Sequence, residues 1–209
     1  MKRSIDEHAA RFSDHADDYD DEQDATEYLA CADLVVSHAA PGPDDTVLDL
    51  GTGTGAIAFP LADEAEAVVG RDVSEGMLER ASTKASERGV DNVMFGNGQF
   101  REPSVDQSVD IVTSNFAMHH LDDEAKRDAI DVIADLAPRR FVLGDVMLFG
   151  DPDPTVPFYD PDVDDPATVG VLADGFTDAG FALVAVEMVH EQVGVLVGER
   201  VPNAGEGSI

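Results

Sequence analysis

Val47-Leu48-Asp49-Leu50-Gly51-Thr52-Gly53-Thr54-Gly55 decides how the rest of the chain is read. A short apolar run, Thr46 to Leu50, reads as a buried strand and leads into a turn with glycine at every second position. Glycine lets such a turn adopt positive φ and lets a ligand approach the backbone closely. Residues Gly55 to Glu64 are expected to continue as a helix. Strand, glycine turn and helix together point to nucleotide binding, yet the spacing leaves the ligand open. Gly51, Gly53 and Ala56 also satisfy the dinucleotide pattern G-x-G-x-x-G/A.

A second strand, Glu66 to Asp72, narrows the choice. It ends in an acid ~20 residues past the glycines, where a carboxylate can accept both hydroxyls of a ribose. The two features imply an adenosine ligand of either kind. Further outward, Ser74 caps a predicted helix to Arg88, with Met77, Leu78 and Ala81 on one face. Val93–Gly96, Val109–Ser114 and Arg140–Val146 read as three more strands, and Asp122–Leu136 as a helix. Alternating strands and helices imply parallel crossovers. The end breaks that rhythm. Residues 150–168 form a long loop rich in Asp and Pro, and Thr168–Ala179 a helix. Phe181–His190 and Gln192–Arg200 then pair as an antiparallel hairpin, because their connection is too short for a helix. Residues 1–40 read as helical, and Val201–Ile209 as a frayed tail.

Composition limits the classes of function. The 209 residues include 44 Asp plus Glu against 13 Lys plus Arg, a net charge of −31. A basic footprint for nucleic acid or anionic membrane is nearly absent, so neither partner is expected. One cysteine excludes a disulfide framework, and no histidine or acid spacing reads as a metal motif. The N-terminal residues show no apolar signal core, and no apolar run of ~18 residues occurs. A soluble cytoplasmic protein is expected. The acids are spread along the whole chain and resemble the composition of salt-adapted haloarchaeal proteins. At ~1 M salt a ~3 Å Debye length screens their repulsion.

Asp49-x-Gly51-x-Gly53-x-Gly55, followed by Gly70-Arg71-Asp72-Val73-Ser74-Glu75-Gly76-Met77-Leu78, resembles the class I S-adenosylmethionine-dependent methyltransferases. Ser114-Asn115-Phe116-Ala117-Met118-His119-His120-Leu121 is similar to the end of the fourth strand in that superfamily, and the closing hairpin also fits it. The Phe12…Tyr19-Asp20 stretch is similar to the N-terminal segment of its small-molecule members. The resemblance implies a Rossmann-like doubly wound α/β sheet of seven strands, mostly parallel with an antiparallel C-terminal hairpin and helices on both faces. It implies one domain over 1–209: an N-terminal segment (1–40) covering the site, a cofactor core (44–150), and a loop, helix and hairpin (151–200).

The resemblance also implies roles. Asp49, Gly51, Thr52, Gly53 and Gly55 would hold the methionine end of S-adenosylmethionine. Asp72 would bind the ribose, and Val73 with Met77 would pack near the adenine. Relatives often carry an acid after the third strand. Here Gly96-Asn97-Gly98-Gln99-Phe100 lacks it, and Gln99, beside Phe100, can accept through its amide oxygen. Asn115 and Phe116 would lie under the methionine and sulfonium.

Methyl transfer is an in-line displacement that needs alignment and exclusion of water more than acid–base groups. His119 and His120 are candidate bases, which would give a rate rising through pH ~6–7, or else helix-capping residues. Tyr19 can close the pocket, and Asp145, expected at the end of the fifth strand, can face the substrate. Phe158 and Tyr159 could wall the substrate site. His8, His15, His38 and His190 read as structural or exposed, and Cys31 as buried. No Asn-Pro-Pro-Tyr-type motif follows the fourth strand, which favours a small-molecule acceptor. Three alternatives stay open: a nicotinamide-linked oxidoreductase, a cofactor-binding regulatory module without turnover, and an RNA methyltransferase.

Overall fold

In the computed structural model, residues 5–16, 19, 23, 25–153 and 155–201 are described. Asp20 and the tail from Pro202 onward, both named above, lie outside them. Among the described residues, α1 (Ile5–His15) and α2 (Thr26–Ala39) precede the first strand. The alternating part runs β1 (Thr46–Leu50), α3 (Ala58–Ala62), β2 (Ala67–Asp72), α4 (Glu75–Arg88), β3 (Val93–Asn97), β4 (Ile111–Asn115), a 3₁₀ turn (Met118–His120), α5 (Asp123–Asp135) and β5 (Arg140–Leu148). The chain then forms β6 (Ala167–Thr168), α6 (Val169–Asp178), β7 (Phe181–His190) and β8 (Val193–Arg200).

The sheet order is β3-β2-β1-β4-β5-β8-β7, with the two-residue β6 paired to β5 off this path. Pairs among β1 to β5 are parallel, while β8 runs antiparallel to both β5 and β7. The expected hairpin therefore inserts its second strand between the first and β5. The path holds the seven expected strands, and β6 adds a short eighth beside it. Ala167–Thr168 was too short to be read as a strand within an irregular loop.

Side chains of β1 alternate between two cores, as period 2 requires. Leu48 and Leu50 pack with Phe141, Leu143, Ile130, Ile133 and Phe176, under α5 and α6. Val47 packs with Cys31, Val35, Ile57, Leu61 and Val142, under α2 and α3. Burial on both faces explains the nearly continuous apolar runs of these strands. Ser74, Asp122 and Thr168 each cap a helix with their own side chain, accepting from Met77 N, Ala125 N and Val171 N.

One predicted helix is much shorter than expected. Gly55–Glu64 reduces to Ala58–Ala62, because the turn runs on to Ile57 and Gly55 sits at φ +92°. After β1 the chain goes to β2 and β3 on one side, and later to β4 and β5 on the other. This reversal of order opens a crevice at the carboxyl ends of β1 and β4, the usual ligand position in such sheets.

Candidate active site

The crevice is a cavity of about 1080 Å³, open mouth included. Gly51, Thr52 and Gly53 from the turn after β1 form its floor, beside Asp72 and Val73 at the end of β2. Gly51 has φ +70°, and a Cβ there would fall 2.3 Å from Ala117 Cβ. Gly53 has φ +53°. Glycine is thus required twice, by conformation and, at Gly51, by close approach. Asp72 fixes this turn: Gly53 N donates to its Oδ2 at 2.8 Å and Ser74 N to its Oδ1 at 2.9 Å. Burial raises the Asp72 pKa above the usual carboxylate range, against the pull of those N–H groups.

Met77, Gln99, Phe100, Asn115 and Phe116 also line the cavity. Phe116 adopts φ +51°, an uncommon conformation for a bulky side chain, at the point where the chain leaves β4. Its ring lies 5.0 Å from Tyr28 and 6.3 Å from Phe158. The second half of the wall comes from the N-terminal segment, as Ile5, His8, Phe12 and Tyr19, with Tyr28 of α2. The segment docks through Ser13, whose hydroxyl pairs with that of Ser74 and accepts from Gly76 N. A Cβ on Gly76 would meet Ser13 backbone at 2.8 Å, so α1 can approach only because residue 76 is glycine.

Of the expected site residues, Tyr19 and His120 also border the cavity, whereas Asp49, Gly55, His119 and Asp145 do not. Gly55 packs against the Phe59 ring. Asp145 is interior to β5, which continues to Leu148, so the expectation that it ends the strand and faces substrate is corrected. Its Oδ1 lies 2.5 Å from His119 Nδ1, and its Oδ2 accepts from His119 N at 2.9 Å. Burial alone would lower the His119 pKa, but the Asp145 carboxylate and, further off, Asp164 raise it above the usual value. The pairing with Asp145 thus favours the protonated form of His119 more than burial disfavours it.

His120 behaves oppositely. Burial, then the charge of His119, lower its pKa to about 4, with Asp164 opposing. It is a neutral imidazole at pH 7. Its Nδ1 lies 2.8 Å from Asp164 Oδ1, and its ring is 4.8 Å from His8. Three residues were missed by sequence reading. His8, read as structural or exposed, is buried and lines the cavity, Tyr28 stands under Phe116, and Asp164 arrives from the Asp- and Pro-rich loop. No sequence signal marks one acid among 44. One ligand-type atom each of His119, His120 and Asp164 lie within 4.8 Å of one another, a cluster that spacing along the chain does not show. The hydrogen bond between His120 and Asp164 accounts for the closest approach. Phe158 packs on Phe116 behind the cavity rather than lining it.

Asp49 is buried beneath the turn and its pKa is pushed up to about 6 by burial, against the hydrogen bond that Thr113 Oγ1 donates to its Oδ1 at 2.8 Å. A folded-state pKa above the unfolded value of 3.8 means that the ionised form is disfavoured by folding. The penalty is absent below pH 3.8, grows to about pH 6 and is then constant. At ~1.4 kcal/mol per unit it reaches about 2–3 kcal/mol at pH 7. Asp49→Asn is therefore expected to raise the melting temperature of the ligand-free chain at pH 7 and to lose that advantage near pH 4. Calorimetric melts at the two pH values check this, and equal shifts at both would contradict it.

The geometry fits an adenosine ligand with a charged amino-acid end. Both side-chain atoms of Asn115 and the hydroxyl of Ser114 are buried with no hydrogen-bond partner among the described residues. An amide with free donor and acceptor beside the glycine turn suits a group that offers both.

Comparison with known proteins agrees. Residues 47–138 match the family described as methyltransferase domain. An uncharacterised methyltransferase of Bacillus subtilis, YcgJ, is 35% identical over 116 residues, which is 55% of this chain and 46% of that protein. One from Geobacillus is 30% identical over 146 residues, 67% of this chain and 65% of that protein. The chain thus spans about half to two thirds of these curated relatives. The crystal structure of YcgJ superposes with a TM-score of 0.65 at 27% identity, covering 76% of this chain and 71% of that one. The fold is also that of the Synechocystis magnesium protoporphyrin IX methyltransferase with bound S-adenosylmethionine. That structure gives a TM-score of 0.64 at 24% identity, over 84% of this chain and 78% of that one. The oxidoreductase reading gives way here, since both the matched domain and the antiparallel end of the sheet belong elsewhere. By its glycine turn, its sheet order and the match over residues 47–138, the chain is similar to methyltransferases and carries a methyltransferase domain in its central part.

Proposed function

We propose that this chain transfers the methyl group of S-adenosylmethionine to a small-molecule acceptor held between the glycine turn and the N-terminal segment. One observation carries the reading: a single cavity joins the turn and Asp72 to an aromatic half containing a neutral histidine. Gly51, Thr52, Gly53 and Asn115, with Asp49 below, hold the methionine end. Asp72 takes the ribose, and Val73, Met77, Gln99 and Phe100 surround the adenine. When bound, the cofactor supplies an electrophilic methyl on a cationic sulfur. Phe116, which lines the cavity, would stand beside that sulfur, and a ring face near a cation is favourable. Tyr19, Phe12 and Ile5 cover the acceptor and exclude water, and His120 accepts its proton. His119 and Asp145 support His120 from below; Gly55, at φ +92°, shapes the turn.

Residues 1–40 then act as a cover of one domain with 44–150 and 151–200. Among the described residues no helix is long and apolar enough to cross a membrane. The scarcity of cations argues against an RNA acceptor. Transfer of labelled methyl groups into a metabolite extract, with an RNA arm beside it, tests the proposal. Binding of S-adenosylhomocysteine without any incorporation would favour the regulatory-module reading.

Salt adaptation is part of the same proposal. At −31, the folded chain is expected to lose its circular dichroism signal at ~10 mM salt, where screening extends ~30 Å, and to regain it at molar salt. A chain fully folded at ~10 mM would overturn this.

A further inference from the structure

Residues Asp160 to Asp165 form a strap across the 3₁₀ turn. Asp164 N donates to Asp160 O at 2.8 Å, and Asp160 N returns a bond to Asp164 Oδ2 at 2.9 Å. The strap is tied to the rest of the fold twice. Asp165 N donates to His119 O at 2.8 Å, and the buried Lys126 ammonium donates to Asp165 O and, at 2.5 Å, to Leu121 O. Gln192, also buried, anchors the preceding residues by bonds to Phe158 N and Val156 O. Four tethers from α5, the 3₁₀ turn and the β7–β8 connection thus set where one carboxylate oxygen stands.

We infer that Asp164 is a positioning residue: it holds His120 as the Nδ1–H tautomer, leaving the Nε2 lone pair for a neutral acceptor that carries its own O–H or N–H. The inference rests on the proposed reaction for its purpose, but its geometry stands apart from it. The groups facing His120 are His119 beside it, Asp164 on the strap and His8 on α1, with Asp145 and Lys126 reaching it through His119. The Asp164 carboxylate is held below its usual pKa, burial notwithstanding, by His120 and His119. An ionised carboxylate only accepts, so Nδ1 must carry the hydrogen. Nε2 makes no hydrogen bond among the described residues, and His120 borders the cavity. A lone pair there recognises a donor. The proton then passes from the acceptor atom to Nε2 as the new bond to the methyl carbon forms and the bond from that carbon to sulfur breaks. The products are a methylated acceptor, a neutral thioether and a His120 cation beside Asp164.

Long-range 1H–15N correlation of the full chain labelled at histidine, at molar salt and pH 7, tests this without any acceptor. His120 is expected to show a protonated Nδ1 and a bare Nε2. In Asp164→Asn the side-chain amide can donate to Nδ1, and the signature is expected to shift toward the Nε2–H form. S-adenosylhomocysteine affinity should change less than twofold, since Asp164 does not line the cavity. A protonated Nε2 in the parent overturns the inference even if the variant fails to fold, as does a tautomer unchanged in a folded variant. Absence of S-adenosylhomocysteine binding by the parent would instead overturn the methyltransferase reading and leave the tautomer result standing.

Discussion

Alanine in place of His120 is expected to lower methyl transfer by ~10²–10⁴-fold, the usual range for a general base, while cofactor affinity stays nearly constant. The pH profile separates this outcome from simple damage. An unperturbed imidazole would give a rate rising through pH ~6–7. Burial and the neighbouring His119 charge lower the His120 pKa to about 4, so the parent rate is expected to fall only as pH drops toward that value. His120→Ala should lose the step. Stability has its own linkage with the same sign. A histidine with a depressed folded-state pKa contributes fully above the unfolded value of 6.5 and loses that contribution as pH falls to about 4. Rates must therefore be taken per folded molecule.

His119→Ala provides the contrast. His119 is paired with Asp145 inside the fold, and removing one partner strands a buried carboxylate, which costs about 3–5 kcal/mol. Its variant is expected to melt early, with turnover per folded molecule less affected than in His120→Ala. Equal turnover per folded molecule in His120→Ala and the parent would end the base assignment and leave alignment as the source of catalysis.

The two histidines are adjacent in sequence, and their different fates could not be read there. Register decides them. Asn115 pairs with Gly144, so Asp145 lies next to the end of β4, where the 3₁₀ turn places His119 above it. Period-2 alternation locates strands, but not which residue of one strand stands beside which of another after an irregular turn. Asp164 was illegible for a related reason: its partner lies 44 residues earlier, and the contact depends on the path of a loop without periodicity. The strand and helix order was legible because each element states its own period, cap or turn. Asp72 was legible because a strand end fixes a position. The shortened α3 shows the limit of that logic, since glycine opens a turn but does not say how far it extends.

Loss of the Asp72 carboxylate is expected to weaken S-adenosylhomocysteine binding at least tenfold and by as much as ~10³-fold. Two of its lone pairs already hold the turn, through Gly53 N and Ser74 N. An ionised carboxylate accepts about four hydrogen bonds, so two sites remain for the vicinal hydroxyls of a ribose. Each bond to a charged group contributes ~1.5–3 kcal/mol, and two would convert to at least two decades of affinity if nothing rearranged. The turn adds to the effect. Without Asp72, Gly53 N loses the partner that keeps residues 51–53 pre-shaped, so binding must then order the turn as well. Asp72→Asn distinguishes the two contributions: its amide keeps one acceptor for the turn but cannot take both hydroxyls while doing so. Titration calorimetry of parent, Asp72→Asn and Asp72→Ala should give affinities falling in that order. An Asn variant as weak as the Ala variant would assign the effect mainly to the ribose bonds. Unchanged affinity in both would remove Asp72 from the cofactor site, and with it the argument that the acid after β2 selects an adenosine ligand.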